Sequence, residues 1–159
     1  MIPSPKGQWG SGELKAFSPV IFAKDFSAQA QTFAIQAKKS LKLDFLLSEN
    51  DADITVEYAA HMTEGEYRLA IADKVTLLAG DAYGAAYGFS AMLQLASVFE
   101  GKFMLPQITV TDKPDCDYRG LLVDTARSFH PLCELKNYVD LCWIYKIKYL
   151  HIHFSDDLS

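Results

Sequence analysis

The chain has 159 residues, half of them apolar and 22% charged, with a formal net charge of −5. That is the balance of a folded globular protein, not a disordered one. It also argues against nucleic acid as a partner, because phosphate binding wants a basic face; Lys38-Lys39 is the one adjacent basic pair.

Residues 1–12 carry prolines, glycines and serines and predict a loose, loop-like entry. Pro19-Val20-Ile21-Phe22-Ala23 reads as a strand. Ser27 then precedes Ala30, Phe33, Ala34, Ala37 and Leu41, whose spacing lines one helical face, with Ser27 as its expected N-cap. Ile54, Val56 and Tyr58 alternate with polar residues, as in a half-buried strand. Tyr67, Leu69 and Ile71 repeat that alternation, and 75–79 gives another strand, so 66–79 predicts a hairpin. Gly80-Asp81 opens a second helix, in which Ala82, Ala85, Ala86, Phe89, Leu93 and Ala96 recur at helical spacing. Gly84 and Gly88 lie inside it and weaken its propensity by ~1 kcal/mol each, which marks a close-packing face sooner than a binding feature. Gly101 ends that segment, and Ile108-Thr109-Val110 is expected as a last short strand. The sum is a sheet with helices on one face, a small α+β domain over 1–111.

Asp112-Lys113-Pro114-Asp115 is the best boundary. Beyond it come a strand (119–124), a helix (132–145) and a second strand (148–154). Leu121-Leu122-Val123 is a continuous apolar run, the mark of a strand buried on both faces. Two such strands joined by a helix form a parallel β-α-β unit.

The three cysteines, Cys116, Cys133 and Cys142, make an odd count with no C-x-x-C spacing. This predicts reduced thiols and a cytoplasmic location, with no structural zinc. The opening Met-Ile-Pro-Ser-Pro-Lys lacks the basic-then-apolar run of a secretory signal. No apolar stretch reaches the ~20 residues of a membrane span. Neither a membrane partner nor a cofactor is expected.

Polar residues gather where the two late strands end: Asp124-Thr125-Ala126-Arg127 after the first, and His151-Ile152-His153-Phe154-Ser155-Asp156-Asp157 along the second. Parallel strands end at the same sheet edge, and in a (β/α)8 barrel that edge carries the active site. A guanidinium offers a rigid fork of donors to sugar hydroxyls. Arg127 can equally be a structural partner of Asp124 or Asp156, and Asp156-Asp157 can cap a following helix. His151 and His153 share a strand face; metal ligation is open to them, though packed, hydrogen-bonded histidines are more usual there.

These elements, in order, resemble the opening of the catalytic domain of glycoside hydrolase family 20. Asp112-Lys113-Pro114, Arg119-Gly120, Asp124-Thr125-Ala126-Arg127, Tyr145-Lys146 and His151-Ile152-His153-Phe154-Ser155-Asp156-Asp157 follow the family pattern D-x-P-x-x-x-x-R-G-x-x-x-D-x-x-R, Y-K-x-N, H-x-H-x-x-D-D. Gly80-Asp81 through Gly84, Gly88 and Leu93-Gln94-Leu95 resemble the end of the small domain that precedes that barrel. The resemblance implies a retaining β-N-acetylhexosaminidase acting on N-acetylhexosamine-containing oligosaccharides or glycoconjugates, with 112–159 as the first β-α-β unit of the (β/α)8 TIM barrel. It assigns Arg127 to sugar hydroxyls in the −1 subsite, and Asp156 to a relay supporting the catalytic acid. The reaction it implies is substrate-assisted: the 2-acetamido oxygen attacks the anomeric carbon in place of an enzyme nucleophile.

The chain departs from the pattern at Ser128, where the family often has His, with His130 two places on, and at Ile147-Lys148. The family's catalytic Asp-Glu pair falls later than Ser159, so this chain is expected to be an inactive N-terminal fragment, prone to self-association through an exposed barrel edge. The competing readings are a non-catalytic interaction or scaffold module and a different (β/α)8 hydrolase.

Overall fold

Ile54 and Val56, Tyr67, Leu69 and Ile71, and Val75, Leu77 and Ala79 are buried, while the residues between them are not. That two-residue period sends every second side chain to one side of a sheet. The computed structural model describes residues 3–156. The chain divides into two compact units, Met1–Pro114 and Asp115–Ser159.

The first unit holds strands β1 (Gly7–Phe17), β2 (Val20–Ala23), β3 (Leu46–Ser48), β4 (Ile54–Tyr58), β5 (Tyr67–Ile71), β6 (Val75–Ala79), β7 (Ser97–Phe99) and β8 (Lys102–Asp112), with helices α1 (Ser27–Leu41) and α2 (Ala82–Leu95). They form one mixed sheet in the order β1-β8-β5-β6-β4-β2-β3, with β7 also on β8. Strands β2, β3, β4 and β6 pair in parallel, while β5, β8, β1 and β7 join antiparallel. Both helices cover the same apolar face. Gly88 of α2 sits directly over Leu77. Phe33 of α1 stacks on Phe89 of α2 with centroids 5.0 Å apart, and Phe45 bridges Phe33 to Phe103 at 4.9 Å on each side. The expected sheet with helices on one face is what forms.

Four details differ from the sequence expectations. Residues 7–12 belong to β1 and are not loop. They form an edge strand with most side chains exposed, where glycine is tolerated. Gly10 and Gly12, both at positive φ, carry it past a bulge opposite Gln107. The last strand is not the short 108–110 but runs from Lys102 to Asp112. Pro106 disguises it by sitting at that bulge, where the buried phase shifts from Phe103 and Leu105 to Ile108 and Val110. Ser27 is not the cap of α1: Phe26 is, at φ 60°, with no side-chain cap bond. Its carbonyl accepts the amides of Gln29 and Ala30, and its ring meets Tyr58 edge-on. Asp81, by contrast, caps α2 through its carboxylate, accepting the Gly84 amide at 2.7 Å. The short β3 and β7 carry no periodic signal. Residues Glu100 and Gly101, both at positive φ, close β7 onto β8 in a two-residue hairpin turn.

The second unit is β9 (Gly120–Asp124), α3 (Leu132–Ile144) and β10 (Tyr149–His153), with the two strands parallel. The fourth difference lies here. Val123 is buried but Leu122 is 60% exposed, so β9 is not covered on both faces in this chain. One helix and one neighbouring strand are too little to enclose it. No helix among the described residues is long and apolar enough to cross a membrane.

Candidate active site

The parallel register sets Asp124 opposite His153, so the loops leaving β9 and β10 emerge side by side. Thr125 ties them together: its Oγ1 donates to the His153 carbonyl at 2.8 Å, and its amide bonds the same oxygen at 3.0 Å. Asp124 then turns the chain, its Oδ1 accepting the amides of Ala126 and Arg127, each at 3.1 Å. This is the local carboxylate-to-backbone bonding that makes aspartate a turn former.

Four polar side chains meet at this edge. Arg127 Nε lies 3.8 Å from Asp124 Oδ2, and an Arg127 terminal nitrogen lies 3.8 Å from Asp156 Oδ2. His153 Nδ1 stands 3.5 Å from Asp124 Oδ1. Both Arg127 contacts exceed hydrogen-bond length, and its side chain is 78% exposed. They are loose electrostatic contacts of the kind worth ~0–1 kcal/mol. The backbone bond from Arg127 chiefly, with His153, the Ala126 amide and the Arg127 charge, holds the Asp124 carboxyl below the usual carboxylate range against a smaller opposing effect of burial. An ionised Asp124 thus stands between a guanidinium and an imidazole.

Arg127 and Asp156, the two site residues expected from sequence, are thus brought together. Asp157 lies outside the described residues. His151 is exposed, while His153 faces Asp124. Among the described residues no group of three or more His, Cys, Asp and Glu is placed to hold a metal ion. The sequence reading offered Asp124 as a structural partner of Arg127, which it is, but missed that His153 reaches the same carboxylate. The cross-strand register that pairs His153 with Asp124 was the available signal. It also missed His130, whose Nδ1 lies 3.0 Å from Glu134 Oε2; their four-residue spacing was the clue.

The family model described as "Glycosyl hydrolase family 20, domain 2" matches residues 3–113, and the one described as "Glycosyl hydrolase family 20, catalytic domain" matches 116–159. The chain belongs to glycosyl hydrolase family 20. Within that family it is 30% identical to an N,N'-diacetylchitobiase of Vibrio harveyi over 99% of this chain and 18% of that protein. It is 31% identical to a β-hexosaminidase of Vibrio furnissii over 82% of this chain and 22% of that protein. The family 20 chain described here therefore spans about a fifth of the length of these curated relatives. Its fold resembles a solved exo-β-N-acetylglucosaminidase of Vibrio harveyi in complex with N-acetylglucosamine, with TM-score 0.89 and 23% identity over 99% of this chain and 26% of that one. A Streptomyces plicatus N-acetyl-β-hexosaminidase gives TM-score 0.86 and 24% identity over 99% of this chain and 34% of that one.

Proposed function

We propose that this chain is the front of a retaining β-N-acetylhexosaminidase, which removes terminal β-linked N-acetylhexosamine from oligosaccharides or glycoconjugates. The observation carrying this reading is the Arg127 guanidinium set between Asp124 and Asp156 at the C-terminal edge of β9 and β10, within the stretch matching the family 20 catalytic domain. Residues 1–111 serve as the accessory domain and 112–159 open the barrel. Arg127 donates to sugar hydroxyls in the −1 subsite. Asp156 supports, through a histidine relay, the acid that protonates the leaving oxygen. The substrate's 2-acetamido oxygen attacks the anomeric carbon, so configuration is retained and no cofactor is used.

The acid and the acetamide-orienting carboxylate come from a later part of the barrel, so the 159 residues alone do not turn over substrate. In isolation, exposed Leu122, Tyr149 and Phe154 and the open edges of the β9–β10 pair favour self-association. The three free thiols support a cytoplasmic location. The test is the full-length protein with an aryl β-N-acetylglucosaminide, following the anomer released. Release of the β-anomer is expected. No turnover, or release of the α-anomer, overturns the reading.

A further inference from the structure

The segment joining β9 to α3 carries Arg127 and is tied down at both ends. Asp124 and Thr125 fix its start, as described above. At its far end the His130 ring meets two residues of α3: its Nδ1 lies 3.0 Å from Glu134 Oε2 and 3.4 Å from the Tyr138 hydroxyl. The His130 and Tyr138 rings stand edge-to-face with centroids 5.6 Å apart. Glu134 and Tyr138 follow His130 by four and eight residues, so one helix face presents both. A carboxylate oxygen has only lone pairs to offer, which assigns the proton to Nδ1, donating to Glu134. With that nitrogen occupied, Tyr138 serves as a wall for the ring.

The His130 side chain is 22% exposed. Between the anchors, the Arg127 side chain and Phe129 stand in the open, Phe129 being 86% exposed. A short span held at one end swings; held at both, it does not.

We propose that His130 is a positioning residue: by pinning the end of this segment to Glu134 and Tyr138, it fixes where the Arg127 guanidinium stands. Its catalytic consequence rests on the substrate role proposed for Arg127. Misplacing a substrate-contacting group by about 1 Å costs on the order of a hundredfold in rate, so loosening one anchor should cost part of that.

The test uses the full-length enzyme with His130→Ala, His130→Asn, Arg127→Ala and the double variant His130→Ala/Arg127→Ala. In His130→Asn the amide nitrogen reproduces the Nδ1–H donor. His130→Ala should lower kcat/KM about tenfold, a fraction of the misplacement penalty, and His130→Asn should recover most of the loss. In the Arg127→Ala background, His130→Ala should cost little more, because a group acting through Arg127 has nothing left to position. Losses that multiply instead overturn the proposal.

Hydrogen exchange of a peptide covering 125–131 gives a readout independent of activity. His130→Ala should speed exchange there severalfold with the rest of the protein unchanged; unaltered exchange overturns the clamp. If exchange accelerates but Arg127→Ala leaves kcat/KM intact, the clamp stands and the substrate role of Arg127 falls.

Discussion

Asp124 holds Arg127 at two points: one carboxylate oxygen accepts the Arg127 amide at 3.1 Å, and the other lies 3.8 Å from the guanidinium Nε. A single side chain thereby sets the turn of the backbone and stands beside the guanidinium without fixing it. The tight contact is the backbone one. The side-chain contact is loose enough for Arg127 to be drawn toward another acceptor.

From this geometry, Arg127→Ala should act on kinetics and spare the fold. Losing a charge-assisted hydrogen bond of ~1.5–3 kcal/mol corresponds to a fall of roughly ten- to hundredfold in kcat/KM. The melting temperature of the full-length protein should stay put, because so exposed a pair adds little stability. Kinetics and melting measured on one preparation decide the matter. Intact kinetics with a lowered melting point would mean Arg127 is only a strut for Asp124.

Stability should fall in acid. Asp53 is held below the usual carboxylate range chiefly by the Ser18 amide, Glu66 by the Thr63 amide, and Asp73 by the Lys15 ammonium. A depressed folded-state value gives stability that is complete above the unfolded value of about 4 and drains away as pH drops through the folded one. Melting temperature should be level near neutrality and decline below about pH 4. Asp53→Asn, which keeps an oxygen for the Ser18 amide, should make that decline shallower. A decline of the same slope in both proteins would refute the assignment to Asp53.

Gly84→Ala and Gly88→Ala should both destabilise, although alanine is the better helix former by ~1 kcal/mol. A methyl at Gly88 would run into the buried Leu77 side chain, which can give only by repacking. A methyl at Gly84 would strike the Glu66 carbonyl, which is backbone and cannot. Overpacking costs about 1–3 kcal/mol, so Gly88→Ala should be mildly harmful and Gly84→Ala clearly worse. Urea unfolding ranks them, and the opposite order would contradict the close-packing account.

Phe33→Ala removes the middle of the Phe89–Phe33–Phe45–Phe103 chain. Phe33 is fully buried, and truncations of this kind cost about 3–5 kcal/mol. Urea unfolding of the variant should show a loss of that size; a loss below about 1 kcal/mol would mean the site collapses to fill the space.

Much of this architecture was legible before any coordinates. The strands of 54–58, 67–71 and 75–79 keep strict alternation because one face is buried and the other is not, and α2 follows a helical period behind a true aspartate cap. What escaped had physical causes. Phe26 caps α1 through backbone conformation and ring contact with Tyr58, and neither leaves a compositional trace. Pro106 falls at a bulge and hides the continuity of β8. At the site, Arg127, Asp124 and Asp156 were readable as strand-end polar residues, whereas the contact of His153 with Asp124 enters through cross-strand register. His130 was noticed only for being out of place.

The pairing of β1 with β8 has a bearing on synthesis. Gly7 pairs opposite Thr111, so the first strand of this unit in chain order waits for the last one. At about 5–20 residues per second, the interval is roughly 5–20 s, and a closure spanning so much sequence is intrinsically slow. An apolar strand left unpaired that long would recruit neighbouring nascent chains. Between Gln8 and Glu13, β1 instead offers glycine, serine and glutamate around a single Trp9. The composition that disguises it as a loop is the one that lets it wait in solution.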